Sequence, residues 1–226
     1  MYSVYISMQA MNDRSPDRRT RKRLATRQAI SDVATRLFMD RGFDRVTIDE
    51  IAEAADVGRM TVFNHFPRKE DMFFDREQEG HDLAFEAIRS RAPGTSPIQA
   101  LGLLAHKMIE EPSDAFPLFV DTRMFVETAQ ASEALKARAR QMRDDFVRVL
   151  AGVLADGVGR PADDSEAHLA AGLIAATWSI AFTRAHAELS ATGNVETAKS
   201  IFLSLIDRGV SGTHAALEGT PFLNVV

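Results

Sequence analysis

Apolar residues recur every three to four positions along almost the whole chain, and this period constrains the fold more than any other feature. The spacing places apolar side chains on one face of an α-helix. The alternating pattern of a half-buried β-strand between turn residues is not found. The sequence therefore predicts an all-α protein, and 226 residues with 45% hydrophobic composition can bury a sizeable core.

Capping and helix-breaking residues divide the chain into about nine predicted helices. The predicted helices cover residues 20–41, 48–55, 59–66, 68–91, 98–110, 114–130, 132–156, 163–190 and 194–207. Gly42 ends the first helix with a left-handed backbone, and Pro67 stops the third. The clearest linker is at residues 93–97. Ser132, Asp163 and Asn194 are the predicted N-caps of later helices, and whether the last helix extends beyond Asp207 stays open.

The two short helices have the pattern of a helix-turn-helix. Thr47 and Glu50 are spaced as a capping box at the start of the first short helix. The positions that would be buried between the two helices are Ile51, Ala52, Ala55, Val57 and Val62. The second helix can therefore turn its other side chains outward.

The outward side chains of the second short helix have the chemistry of base reading. Arg can form paired hydrogen bonds with guanine, Asn can do so with adenine, and Thr or Met can contact the thymine methyl group. The outward set comprises Arg59, Met60, Thr61, Asn64 and His65. A helical hairpin with an ordinary polar face fits the spacing equally well, so both interpretations stay open at this point.

A longer segment closely resembles the DNA-binding domain of the tetracycline-repressor (TetR) family. The resemblance is carried by VTIDEIAEAA at 46–55, TVFNHF at 61–66 and Lys69-Glu70. The preceding helix, with Ala34 and Leu37-Phe38, also matches. The similar segment covers about residues 24–72 in register, and beyond it only helix number and length agree.

The resemblance implies a homodimeric repressor that binds a palindromic operator in double-stranded DNA and is released by a small, apolar effector. A flexible basic arm at 1–19 would precede a three-helix DNA-binding domain at 20–67 and a larger helical effector-binding and dimerisation domain at 68–226. Matched positions imply that Thr47 and Lys69 hold phosphates at helix N-termini. Arg59, Thr61, Asn64 and His65 would lie on the recognition helix.

Three residues depart from the family pattern. Asp56 stands where a Gly usually ends the first short helix, and Asp tolerates the left-handed conformation better than most residues. Gly58 replaces the usual Ser cap of the recognition helix, at a cost of only a few tenths of a kcal/mol. Phe63 replaces a common Tyr, so a hydroxyl contact to phosphate is lost.

Charge is unevenly distributed, although the net charge of −5 by itself argues against nucleic acid. Among residues 14–27, only Asp17 opposes a basic cluster. The cluster comprises Arg14, Arg18, Arg19, Arg21, Lys22, Arg23 and Arg27. Such a cluster is typical of phosphate binding, and a solvated tail that binds nothing is the alternative.

Three features of the sequence indicate a cytoplasmic protein. The chain has no cysteine, as is usual in a reducing compartment. Its longest uncharged apolar stretch, at 169–182, is shorter than the ~20 residues that span a bilayer. The N-terminal segment lacks the charge order of a secretory signal. We therefore expect a cytoplasmic location and no membrane association.

Catalytic motifs are absent from the sequence. The histidines form no metal-binding motif, and there is neither a phosphate-binding glycine loop nor a nucleophile elbow. We therefore expect no enzymatic activity, cofactor or metal. A helical scaffold or protein-interaction module remains the alternative class. Within the DNA-binding class, an activator or a regulator that responds to a protein partner also remains open.

Two further hypotheses concern the larger domain. The helix at 169–182 is apolar nearly all round, so it should pair with a second copy together with the last helix, which carries Ile201, Phe202, Leu205 and Ile206. The expected effector-binding residues are Met108, Phe119, Arg123 and Trp178. A continuous helix over 68–91 would transmit the effector's signal. The alternative to pairing is that the helix at 169–182 is buried inside one subunit. The alternative to effector binding is that these apolar residues are ordinary core and that Arg123 pairs with Glu127.

Overall fold

The computed structural model describes residues 17–111 and 122–223, which form ten α-helices, two short 3₁₀ helices and no β-strand. The prediction of an all-α fold is confirmed. The α-helices in chain order are α1 (Arg18–Arg41), α2 (Ile48–Ala54), α3 (Arg59–His65), α4 (Glu70–Phe73), α5 (Glu77–Arg89), α6 (Pro97–Glu110), α7 (Thr122–Ala131), α8 (Glu133–Asp156), α9 (Ser165–Thr192) and α10 (Val195–Ala216). The 3₁₀ helices are Phe43–Arg45 and Pro221–Leu223.

The chain forms two compact units, of which the first ends at Phe73 and the second begins at Phe74. In the first unit α1 packs against α2 and α4, and α2 packs against α3. Its core includes three aromatic rings, those of Phe38, Phe43 and Phe73, with centroids 4.9–6.2 Å apart. The remaining fully buried residues of this core include Ile30, Ala34, Ile51, Val62, Phe66 and Met72.

The start of α1 differs slightly from the expected boundary. The carboxylate of Asp17 accepts a hydrogen bond from the backbone N–H of Thr20 at 2.7 Å and so caps the helix. Arg18 and Arg19, which were assigned to a flexible arm, therefore lie in the first turn of α1. At the other end Gly42 has a φ of +82°, as its position after the helix predicts.

The prediction of one continuous helix over 68–91 is wrong. Residues 74–76 form a turn that separates α4 from α5. Met72 and Phe73 are buried in the core of the first unit, whereas Ala84 and Ile88 belong to a core cluster of the second. No side-chain cap marks the start of α5, so the sequence contains no local signal for the break. The proposal that one continuous helix transmits the effector's signal is therefore not supported.

The second unit is built around α9, which packs against α8 and most extensively against α10. Small side chains allow these helices to approach closely, since Ala167, Ala170, Ala171 and Ala181 are completely buried. The last helix, α10, continues to Ala216, beyond the predicted end at residue 207. The predicted caps Ser132 and Asn194 are confirmed, whereas Asp164, and not Asp163, caps α9.

Two residues that were expected in a dimer interface belong instead to the chain's own core. Phe202 and Ile206 are completely buried in a cluster that includes Ala181 and Ala185 of α9. They face α9 because α10 packs along it, which the period of α10 alone cannot reveal. Of the four predicted residues, only Ile201 and Leu205 are half-buried.

A buried histidine joins α9 to α7. His186 Nδ1 lies 2.9 Å from the carbonyl oxygen of Phe182, and Nε2 lies 2.8 Å from Oγ1 of Thr122. A carbonyl can only accept, so Nδ1 carries the hydrogen and the Thr122 hydroxyl donates to Nε2. Burial lowers the pKa of His186, and the ring is therefore held in its neutral form.

Candidate nucleic-acid interface

The turn between α2 and α3 has the geometry of a Schellman motif. The backbone N–H of Val57 donates to the carbonyl of Ala52 at 2.9 Å, and that of Asp56 donates to the carbonyl of Glu53 at 3.1 Å. Asp56 has a φ of +52°, the left-handed conformation expected for this position. Two backbone hydrogen bonds and a half-buried Val57 thus fix the direction in which α3 leaves the turn.

The predicted capping box at the start of α2 is confirmed. Oγ1 of Thr47 accepts from the backbone N–H of Glu50 at 3.3 Å, and the Glu50 carboxylate accepts from the backbone N–H of Thr47 at 2.8 Å. The hydrogen bond from the Thr47 backbone lowers the pKa of Glu50, with a smaller contribution from Arg41. Thr47 is exposed, and both of its donor groups contact Glu50. At α3, Gly58 provides no side-chain cap, as expected.

The outward face of α3 differs from its inward face in the way the sequence predicts. Val62 is completely buried, whereas Met60 is 70% exposed. Arg59 and Asn64 are also exposed, and Thr61 and His65 are half-buried. The helix therefore presents a mixed cationic, amide and thioether surface to solvent.

Arg59 forms an ion pair that sequence reasoning did not anticipate. Its Nη1 donates to Oδ1 and Oδ2 of Asp49 at 3.0 and 2.9 Å. Its guanidinium lies 5.5 Å from the ring centroid of Phe63. The first turn of α2 is thereby connected to the first residue of α3.

Arg27 belongs to the basic cluster in the sequence, but in the structure it packs against the end of α3. The sequence analysis did not predict this contact. Its Nη1 donates to the backbone carbonyl of His65 at 2.6 Å, and its guanidinium lies 4.0 Å from the ring centroid of Phe66. A cation at this carbonyl stabilises the C-terminus of α3. The helical period of α1 does indicate this position, because Arg27 lies three, seven and eleven residues before the buried Ile30, Ala34 and Phe38.

The other described members of the basic cluster lie on exposed positions in the first two turns of α1. These residues are Arg18, Arg19, Arg21, Lys22 and Arg23. Cations at a helix N-terminus oppose the helix dipole, so this arrangement does not stabilise α1. The cluster leaves a concentrated positive charge accessible to an anionic partner. Arg14 and the rest of residues 1–16 lie outside the described residues.

Lys69 is partly buried within the first unit. Its Nζ donates to the carbonyl of Phe43 at 2.6 Å and lies 4.2 and 5.6 Å from the ring centroids of Phe43 and Phe38. Burial lowers the pKa of Lys69, while Asp44, Glu70 and Glu50 oppose that shift. Lys69 therefore stabilises the segment after α1 in addition to any contact it makes outside the chain.

The residues predicted to bind an effector have different environments. Met108 and Trp178 are half-buried against the same core cluster of the second unit, and the Trp178 ring meets Phe202 edge-on at 5.8 Å. Arg123 is exposed and pairs with Glu127 at 2.8 Å, as the alternative interpretation expected. Phe119 lies outside the described residues.

Residues 17–111 and 122–223 contain no group of three metal-ligating His, Asp or Glu side chains. No helix in this part of the chain is long and apolar enough to cross a membrane. The geometry of α2, the Schellman turn and the exposed face of α3 together define a helix-turn-helix protein.

Comparison with known proteins shows similarity to bacterial regulators. Residues 30–75 match the model of the bacterial regulatory proteins of the tetR family. The regulator TcmR of Streptomyces glaucescens is 33% identical over 86 residues, which cover 38% of each chain. The repressor LfrR of Mycolicibacterium smegmatis (strain ATCC 700084 / mc(2)155) is 31% identical over 104 residues, covering 46% of this chain and 52% of LfrR. The similarity to the tetR family thus lies in residues 30–75.

The sequence similarity to these two regulators is confined to part of the chain. The aligned part spans about half or less of each regulator's length. The fold similarity extends further. The structure of a SmeT–triclosan complex superposes with a TM-score of 0.53, covering 83% of this chain and 91% of SmeT at 19% identity. The second unit therefore shares its helical architecture with that protein, although few residues are identical.

Proposed function

We propose that this chain is a cytoplasmic transcription repressor that binds a palindromic operator as a homodimer and releases it when a small apolar molecule binds the second unit. The observation that best supports this proposal is the exposed face of α3. Arg59, Met60 and Asn64 project into solvent from a short helix that Val62 and the Schellman turn hold in place. A helical scaffold has no need of base-reading side chains on a helix fixed in this way.

The charge on α1 supports DNA as the partner. Five exposed cations occupy turns where they oppose the helix dipole, and DNA phosphates would compensate for that unfavourable arrangement. We assign Thr47 and Lys69 to phosphate contacts and Arg59, Met60, Thr61, Asn64 and His65 to the major groove. Lys69 would then combine a contact to DNA with its packing role against Phe43.

The decisive experiment selects duplexes from a random library with the full-length protein and then measures affinity by fluorescence anisotropy. Arg59→Ala and Asn64→Ala should each reduce discrimination between a selected and a random duplex by about 1–3 kcal/mol. Lys69→Ala should weaken both duplexes about equally, and circular dichroism must show that it still folds. If the wild-type protein binds no duplex at moderate salt, the scaffold class is favoured.

A second copy of the chain is the partner that fits α9 and α10. Leu169 and Ile180 are about half exposed and lie eleven residues apart, which places them on one face of α9. An open groove beside this face is lined by Arg184, Ser200, Ile201, Ser204 and Leu205. Two such faces could pack as an isologous four-helix bundle.

The dimer can be tested with a matched pair of substitutions. Ile180→Glu should convert a dimer to a monomer near 25 kDa in light scattering. Leu103→Glu, at a similarly exposed position on α6, should not. A wild-type protein that is monomeric at micromolar concentration would contradict the dimer and, with it, the palindromic operator.

The effector is proposed to bind in the second unit, near Met108, Phe119, Arg123 and Trp178. SmeT, which shares the fold, binds triclosan, an apolar aromatic compound. Arg123 at the exposed surface of α7 could exchange Glu127 for an acidic or carbonyl group of a ligand. A thermal-shift screen of apolar acids and aromatic compounds, repeated with Arg123→Ala, tests this assignment. If none of these compounds stabilises the protein, a regulator that responds to a protein partner becomes the better explanation.

A further inference from the structure

The contact between Asp49 and Arg59 places a negative charge directly beside the first residue of the recognition helix. One nitrogen of Arg59, Nη1, reaches both carboxylate oxygens, at 3.0 and 2.9 Å. The two side chains are 57% and 67% exposed. They come from different helices and are ten residues apart in the chain, so the turn between α2 and α3 brings them together.

Stability does not account for this pair. An ion pair as exposed as this one contributes little to the free energy of unfolding. What the pair does define is the orientation of a long side chain that otherwise has many rotamers. Within the described residues, the edge of the guanidinium formed by Nε and Nη2 makes no hydrogen bond. That edge carries the paired donors with which arginine contacts O6 and N7 of guanine.

Asp49 also distinguishes between the two kinds of partner that Arg59 could contact. A phosphate that approaches Nη1 must displace the carboxylate or lie close to it, and two negative charges repel. A guanine edge is neutral, and it can be contacted by Nε and Nη2 while Asp49 keeps Nη1. The same carboxylate therefore favours a base contact and disfavours a backbone contact.

We propose that Asp49 is a specificity-determining residue that positions Arg59 for base reading and suppresses its binding to phosphates of unrelated DNA. This inference rests on the proposed DNA-binding function and deepens it. Asp49 need not touch DNA, because it acts through Arg59.

The test uses Asp49→Asn in the full-length chain, which keeps the shape of the side chain and removes its charge. A duplex selected by the wild-type protein from a random library and a random duplex of equal length are titrated at several salt concentrations. We expect Asp49→Asn to bind the random duplex more tightly, and the ratio of the two affinities to fall about fivefold or more. Glu53→Gln removes a negative charge from the same helix and should leave the ratio unchanged.

Two further variants show whether Asp49 acts through Arg59. In an Arg59→Ala background, Asp49→Asn should no longer change the ratio. Arg59→Lys keeps the positive charge but loses the paired donors, so it should lower the ratio even with Asp49 in place. Should Asp49→Asn fold poorly, Asp49→Ser, which also removes the charge, carries the same comparison.

The outcomes separate this inference from the proposed function. An unchanged ratio in Asp49→Asn, or an equal fall in the Arg59→Ala background, would overturn the role of Asp49 while leaving DNA binding intact. If the wild-type protein enriches no sequence from the library, the proposed function itself fails and this inference fails with it.

Discussion

Gly209 lies where α10 comes closest to α9, and no larger residue fits there. A Cβ at this position would lie 2.2 Å from both Cγ2 and Oγ1 of Thr177, and 2.7 Å from the Cβ of Thr177. Rotation of the Thr177 side chain cannot relieve this overlap, because its Cβ is itself too close. The Thr177 hydroxyl is also held by its hydrogen bond to the carbonyl of Leu173 at 2.8 Å. Gly209→Ala must therefore push the two helices apart.

The expected loss of stability follows from two opposing effects. Overpacking of this severity costs about 3 kcal/mol, the upper end of the usual range for an inserted methyl group. Alanine gains about 1 kcal/mol over glycine within a helix. The net decrease in the free energy of unfolding of the second unit should be about 2 kcal/mol.

Urea unfolding followed by the fluorescence of Trp178 measures this effect. Trp178 is the only tryptophan of the chain and packs against both core clusters of the second unit. Gly152→Ala in α8 is the control, because a Cβ there meets nothing within 4 Å and the variant should be more stable by up to about 1 kcal/mol. Adding Thr177→Ala to Gly209→Ala should restore part of the loss. If Gly209→Ala proves as stable as Gly152→Ala, the close approach of α9 and α10 is refuted.

Three other predictions each concern a single residue. Asp56→Gly should stabilise the first unit by roughly 0.5–1 kcal/mol, since glycine adopts a φ of +52° more readily than Asp does; a lower melting temperature would contradict this. Arg27→Met should destabilise α3 by about 1–3 kcal/mol in hydrogen exchange, whereas Arg23→Met, one turn earlier and exposed, should have little effect. Because burial lowers the pKa of His186, the unfolded chain takes up a proton first, and the stability of the second unit should decline as the pH falls below about 6.5. His186→Asn should flatten that decline in urea titrations between pH 7.5 and 5, and an identical slope would exclude His186 as its source.

Local features of the fold could be predicted from the sequence because the interactions behind them span only a few residues. The capping box of Thr47 and Glu50 joins residues three apart, and the caps at Ser132 and Asn194 likewise act within one turn. The left-handed conformation of Asp56 follows from its position after a short helix. The exposed face of α3 follows from the helical period once Val62 is known to point inward.

Tertiary structure decided the features that depend on which helix lies opposite. The period of α10 shows an apolar face, but only its packing on α9 assigns Phe202 and Ile206 to the core and leaves Ile201 half-exposed. The break between α4 and α5 lies at the boundary between the two compact units, with Met72 and Phe73 buried in the first and Ala84 and Ile88 buried in the second. The contacts of Arg27 with α3, and of Asp49 with Arg59, join side chains from different helices. Charge and spacing along one helix cannot specify such contacts, because the partner atoms are placed by the path of the chain between the helices.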